Sequence, residues 1–225
     1  MSQSFSLADP LSLGDLQVYL SRAARVLDGS VRLIASGGVL AVYTGVLYPR
    51  GLLDRSPTVL GLRTFALVEQ LTLDVVVPLR GVLERIARLQ SEDLAPHRAV
   101  SVPVPLEAGT ASWAGISPPL RGWSTLGETD AARLEAAARS GIDEVAAVIP
   151  VGTGEQIVER VRSGVWGRDI PGLDNVPAGA AFAAFSLGFL AGDEPVRLFE
   201  VGPWARLSTS RGHVLVRRQM SSIPR

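Results

Sequence analysis

The stretch "VRLIASGGVLAVYTGVLYP", residues 31–49, holds two β-rich runs, 31–36 and 39–48, separated by Gly37-Gly38. Two glycines accept positive φ without a Cβ penalty, so the pair suits a two-residue hairpin turn. The second run is apolar at nearly every position, which predicts a strand covered on both faces. Two further runs, "TVLGLRTFALVE" (58–69) and "LTLDVVVP" (71–78), follow after turn-like breaks and extend the hairpin into an antiparallel meander.

The flanks of this block change period. In "LSLGDLQVYLSRAARVLDG", Leu13, Leu16, Leu20, Ala23, Ala24 and Leu27 recur three or four apart, predicting a helix over 13–27 with Ser12 and Asp15 as a capping pair and Gly29 as its stop. After Pro78, Val82, Leu83, Ile86 and Leu89 form one apolar side opposite Glu84, Arg85 and Arg88, which predicts a second amphipathic helix. The prolines of "AVSVPVP" (99–105) confine that run to a sheet edge.

Beyond residue 126 the sequence reads as mainly helical. Thr125 and Glu128 stand at capping-box spacing before a helix closing on Gly141, and Glu155 to Ser163 and Ala178 to Ala191 predict two more. The chain closes with the β-like runs "VRLFEV", "WARL" and "HVLVRR", a C-terminal β-hairpin. The expected fold class is α+β. Its parts are a helix-plus-sheet subdomain over 1–108, a Trp/Pro-rich loop or linker over 109–126, and a helical subdomain with the hairpin over 127–225. No internal sequence repeat stands out.

Composition excludes several function classes. The 22 positive side chains are all Arg and balance 22 Asp plus Glu, so no global field draws the chain to nucleic acid or an anionic membrane. The charge is unevenly spread: residues 113–195 carry six Arg and eleven acids, whereas 196–225 carry six Arg and one acid, Glu200. No cysteine is present, which removes disulfides and thiol chemistry. The first residues, "MSQSFSLADPLSLGDL", have no basic n-region or continuous apolar h-region, so a signal peptide is not expected and a cytoplasmic location is.

The most apolar stretch, "PAGAAFAAFSLGFLAGDE" (177–194), is too short and too rich in Ala and Gly for a membrane span. It reads as a packing helix, with Gly179 and Ala183 thinning one side and Phe182, Phe185 and Phe189 filling the other. Ser186 in "AFSLG" lacks the strand-to-helix corner of a hydrolase nucleophile. Helices followed by a hairpin suit a winged-helix domain, but this helix has no Arg, Asn, Gln or Lys to read base edges. The two histidines, His97 and His213, are too far apart for a helical ligand pair, so neither a metal nor a cofactor is expected.

Three candidate regions remain. Trp113 and Trp123 bracket Pro118-Pro119, a stiff loop suited to partner binding. Arg206, Arg211, His213, Arg217 and Arg218 make the C-terminal hairpin a candidate anion-binding surface. The Gly152–Glu155 turn precedes a helix, as a phosphate pocket requires, but lacks the glycine and lysine signatures of nucleotide sites. The expected function is non-catalytic: a protein that binds another protein or its own copy, for instance as a homodimer. Phosphate or nucleic-acid binding through the hairpin is the first alternative, and a small-ligand or enzymatic pocket near Gly152–Glu155 the second.

Overall fold

The computed structural model of the chain describes residues 3–217 except 52, 53, 55, 93, 94, 96, 97, 107–109 and 149–153. It divides into two compact units, residues 1–45 with 62–115 and residues 46–61 with 116–225. The class is α+β, as expected.

Unit 1 contains β1 (Ser4–Leu7), α1 (Pro10–Val26), β2 (Ser30–Ser36), β3 (Val39–Leu47), β4 (Thr58–Ala66), β5 (Leu73–Pro78), α2 (Leu79–Gln90) and β6 (Val100–Pro103). Residues 46–47 of β3 and 58–61 of β4 are assigned to unit 2. The strand order is β5-β2-β3-β4, with β1 and β6 forming a separate antiparallel pair. The β5 run therefore does not extend the meander beside β4. It crosses to β2, because Val77, Val75 and Leu73 align with Val31, Leu33 and Ala35. These in turn align with Thr44, Val42 and Leu40 of β3. Side chains alternate across a strand, so the three rows form one buried face.

Helix α1 buries Leu13, Leu16, Tyr19, Leu20 and Ala23, and α2 packs on it with Leu79, Val82 and Ile86 buried. The α1 cap is Asp9 rather than Ser12: the Asp9 carboxylate accepts the Ser12 backbone N–H at 2.7 Å, and Pro10 begins the first turn where no donor is needed. The buried Tyr19 hydroxyl meets Thr44 Oγ1 at 2.9 Å and donates to the Val42 carbonyl at 3.3 Å. Burial raises its pKa far above the ordinary tyrosine range, so it stays a neutral donor.

Unit 2 contains β7 (Ser124–Asp130), α3 (Ala131–Val148), α4 (Glu155–Trp166), β8 (Asp169–Ile170), β9 (Leu173–Pro177), α5 (Ala178–Ser186), β10 (Pro195–Val201), β11 (Trp204–Thr209) and β12 (Gly212–Arg217). The expected C-terminal hairpin is a three-stranded meander, β10-β11-β12, with β7 added beside β10. Thr125 and Glu128 are consequently not a helix cap. They lie in β7, opposite Phe199 and Arg197, where strand pairing overrides the local capping signal.

Two further helix boundaries differ from expectation. Gly141 lies within α3, because a Cβ there would stand 2.2 Å from the Trp166 ring of α4. Helix α5 ends at Ser186, not Ala191: Gly188 adopts φ +73° and the amides of Gly188 and Phe189 donate to Phe185 and Ala184. That pairing is a Schellman termination. Within unit 2, Phe182 stacks on Trp166 at 4.4 Å, and Phe189 is buried against Gly212.

Both units follow one plan with its parts in opposite order. In unit 1 the strand entering α2, β5, pairs with the strand leaving α1, β2; in unit 2 the strand entering α3, β7, pairs with the strand leaving α5, β10. The other strands flanking these helices pair reciprocally, β1 with β6 and β8 with β9.

Helical Gly-to-Ala changes normally stabilise by about 1 kcal/mol. At Gly179 the sign should reverse, since the new Cβ would lie 2.9 Å from the Trp166 carbonyl, a backbone atom that cannot turn aside. Gly179→Ala is expected to lose about 1–3 kcal/mol in urea unfolding.

Candidate interaction surface

The β10-β11-β12 register sorts unit 2 side chains into two faces. Val196, Leu198, Ala205, Leu207, Val214 and Val216 are buried on one, and α5 packs against β12. The opposite face is built from cross-strand rows, each of which also contains a buried residue: Ser208, Leu215 or Trp204. One row is Arg197, Ser208 and His213; the next is Phe199, Arg206 and Leu215; the third is Val201, Trp204 and Arg217. Arg206 is the centre of this array.

A bulge brings Trp123 to the same face. In β7, Glu128 aligns with Arg197 and Gly127 with Leu198, but Phe199 aligns with Thr125, leaving Leu126 as an extra residue. One extra residue reverses the alternation, so the odd-numbered residues before it, Thr125 and Trp123, fall on the side of Phe199 and Arg206. Gly127, at φ +134°, supplies the backbone conformation beside the extra residue.

The Arg206 guanidinium carbon lies 4.6 Å from the centre of the Trp123 ring and 4.4 Å from that of Phe199. The Trp123 indole N–H is held by the Pro119 carbonyl at 2.9 Å. Rings oriented in this way attract a cation through their negative faces. The Arg206 Nε is buried without a hydrogen-bond partner, and among the described residues no carboxylate pairs with Arg197, Arg206 or Arg217. Burial, with Arg197 nearby, lowers the Arg206 pKa, although a guanidinium remains charged throughout the accessible pH range.

His213 Nδ1 meets Ser208 Oγ at 2.9 Å. Burial and then the Arg206 and Arg197 charges push its pKa below the ordinary 6.5, leaving the imidazole neutral at neutral pH. Arg211 is exposed in the β11–β12 turn, where its amide donates to Thr209 Oγ1 and Glu194 binds the neighbouring Ser210. Arg206, His213 and Arg217 thus share a face, Arg211 lies at the strand end, and Arg218 is outside the described residues.

The two tryptophans have different positions. Trp113, 6% exposed, belongs to unit 1, where a short 3-10 turn over Ser112–Gly115 seats its ring against Gly45. Arg32 fixes that turn by donating to the Ala114 carbonyl at 2.6 Å while pairing with Asp74 at 2.7 Å. Trp113 is therefore packed rather than presented to a partner. In unit 2, Pro118 is buried, Pro119 is exposed and Trp123 is half-buried, with Leu120 88% and Leu126 46% exposed beside them in sequence.

Phe199 and Arg197 join the site although sequence reading missed them. The alternation in "VRLFEV" carried the signal, with Val196 and Leu198 inward and Arg197 and Phe199 on the other face. Gly152 and Thr153 lie outside the described residues, and Gly154 is the N-cap of α4 without a side-chain cap bond. His97 is also outside them. Among the described residues no group of His, Asp and Glu is placed to hold a metal ion, and no helix is long and apolar enough to cross a membrane.

Residues 1–105 match the family described as Domain of unknown function (DUF8010), and residues 118–221 match Domain of unknown function (DUF8185). Comparison with curated proteins by sequence yields no match. In fold, the chain is similar to Caulobacter crescentus pol III beta, at 14% identity and a TM-score of 0.52, covering 99% of this chain and 66% of that one. It is also similar to a putative DNA polymerase III beta subunit from Eubacterium rectale, at 9% identity and a TM-score of 0.50, again covering 99% and 66%. The likeness is one of fold, and the chain spans about two thirds of those proteins' length.

His213 gives this face a measurable pH signature. Below 6.5 the unfolded chain protonates the imidazole while the folded chain resists, so stability falls as pH drops toward the depressed folded value and levels off beneath it. His213→Gln should remove this part of the acid-side loss, read from urea midpoints above and below pH 6.5.

Proposed function

We propose that the chain is a non-catalytic cytoplasmic scaffold that binds another protein or its own copy, using the unit 2 face centred on Arg206. The observation carrying this reading is a guanidinium held between Trp123 and Phe199 without a carboxylate among the described residues. Arg and Trp dominate the energetics of protein interfaces because they combine large contact area with directional polar groups. The ring contacts restrict the guanidinium in advance, reducing the entropy lost on binding.

The fold supports the same reading from another direction. The Eubacterium rectale protein of similar fold is named a beta subunit, one component of a polymerase assembly. The present chain, with the same general architecture, is proposed to act likewise through its partners and not through a reaction of its own.

Sedimentation velocity across a wide concentration range, with affinity capture from lysate, tests the proposal on wild type and on Trp123→Ala and Arg206→Glu. Loss of an interface anchor is expected to weaken association by tenfold or more, as roughly 2 kcal/mol at a hot spot implies. Identical self-association and identical captured proteins in all three would overturn it. A phosphate-binding role instead predicts affinity that collapses with added salt.

A further inference from the structure

We propose, building on the scaffold reading, that the Arg206 face recognises an extended acidic peptide segment with carboxylates at alternate positions. The row containing Arg197 and the row containing Arg206 are neighbours on one sheet face. Successive residues on one side of an extended strand lie about 7 Å apart, whereas adjacent rows on this face have the same spacing because they too are two residues apart. An extended segment laid along β10 and β11 therefore brings alternate side chains into register with Arg197 and Arg206.

The planar guanidinium suits a carboxylate, which accepts two parallel N–H bonds. Arg206 and Arg217 lack ion-pair partners among the described residues and His213 stays neutral, whereas Arg197, also without an ion pair, has Glu128 of β7 opposite it and Glu194 within reach of its charge. An acidic ligand supplies the missing complement.

Nucleic acid fits less well. Unit 2 carries 14 Arg against 13 Asp plus Glu, so it generates little long-range attraction for a polyanion. Single-stranded nucleic acids gain affinity by stacking bases on open aromatic faces. Here Arg206 already occupies one face each of Trp123 and Phe199.

The test titrates the full chain with an acetylated, amidated peptide of alternating Asp and Leu, its Asn/Leu counterpart and an oligothymidylate. The Trp123 indole N–H resonance, assigned with Trp123→Phe, reports binding at this face. Saturable shifts are expected with the Asp/Leu peptide, and weaker ones with Asn/Leu. Arg206→Gln and the exposed Arg197→Gln should each reduce the Asp/Leu affinity about tenfold, the scale of one charge-assisted hydrogen bond; circular dichroism confirms that each remains folded.

Equal binding of the Asn/Leu peptide, unchanged affinity in both variants, or binding of the oligothymidylate alone would overturn the inference. No binding of the Asp/Leu peptide would overturn it too. If association of the whole chain still falls with Trp123→Ala in that case, the scaffold reading stands without the acidic-peptide specificity; if it does not, both fail.

Discussion

Each unit is closed by the same constraint: the strand that runs into one helix must pair with the strand that leaves the other. In unit 1 this places β5 beside β2, aligning Val75 with Leu33 under the α1–α2 pair. In unit 2 it places β7 beside β10, while α3 packs on α5. Neither helix pair can move far without breaking a sheet register, and neither sheet can slip by one residue without turning its apolar row outward. Local segments of modest propensity become definite elements because this reciprocal pairing links them over long sequence separations.

The candidate surface is a consequence of that pairing in unit 2. Once β7 is fixed against β10, the extra residue Leu126 determines that Trp123 falls on the Arg206 side. Phe199 reaches the same guanidinium from β10, so two strands and a loop contribute to one cation site. The arrangement leaves the Arg206 Nε buried and unpaired. A buried polar group without a partner costs about 1–3 kcal/mol, a penalty that folding alone gives no reason to retain. Binding provides one, because a ligand carboxylate can approach the guanidinium's remaining donors while the rings keep its plane fixed.

Much of the architecture was legible because it was local. Gly37-Gly38 announced the β2–β3 turn, and the spacing of Leu13, Leu16 and Leu20 announced α1. What escaped was long-range. Thr125 and Glu128 have the chemistry of a helix cap, and only Arg197 and Phe199, about seventy residues away, make them strand residues. Gly141 resembles a helix stop until Trp166 is seen against it. The site was read in two unconnected pieces, Trp123 with the proline loop and Arg206 with the basic end. Their meeting depends on a bulge, which no periodicity in the sequence discloses.

The central claim is that Arg206 is kept for binding rather than for folding. Arg206→Met tests this most directly, since it preserves length and apolar contact with the rings while removing the charge and the unpaired Nε. The account predicts an unfolding midpoint in urea equal to or higher than that of the wild type. A clear fall in the midpoint, with an unchanged dependence on urea, would contradict it by making the Arg206 stack a structural fastening of unit 2.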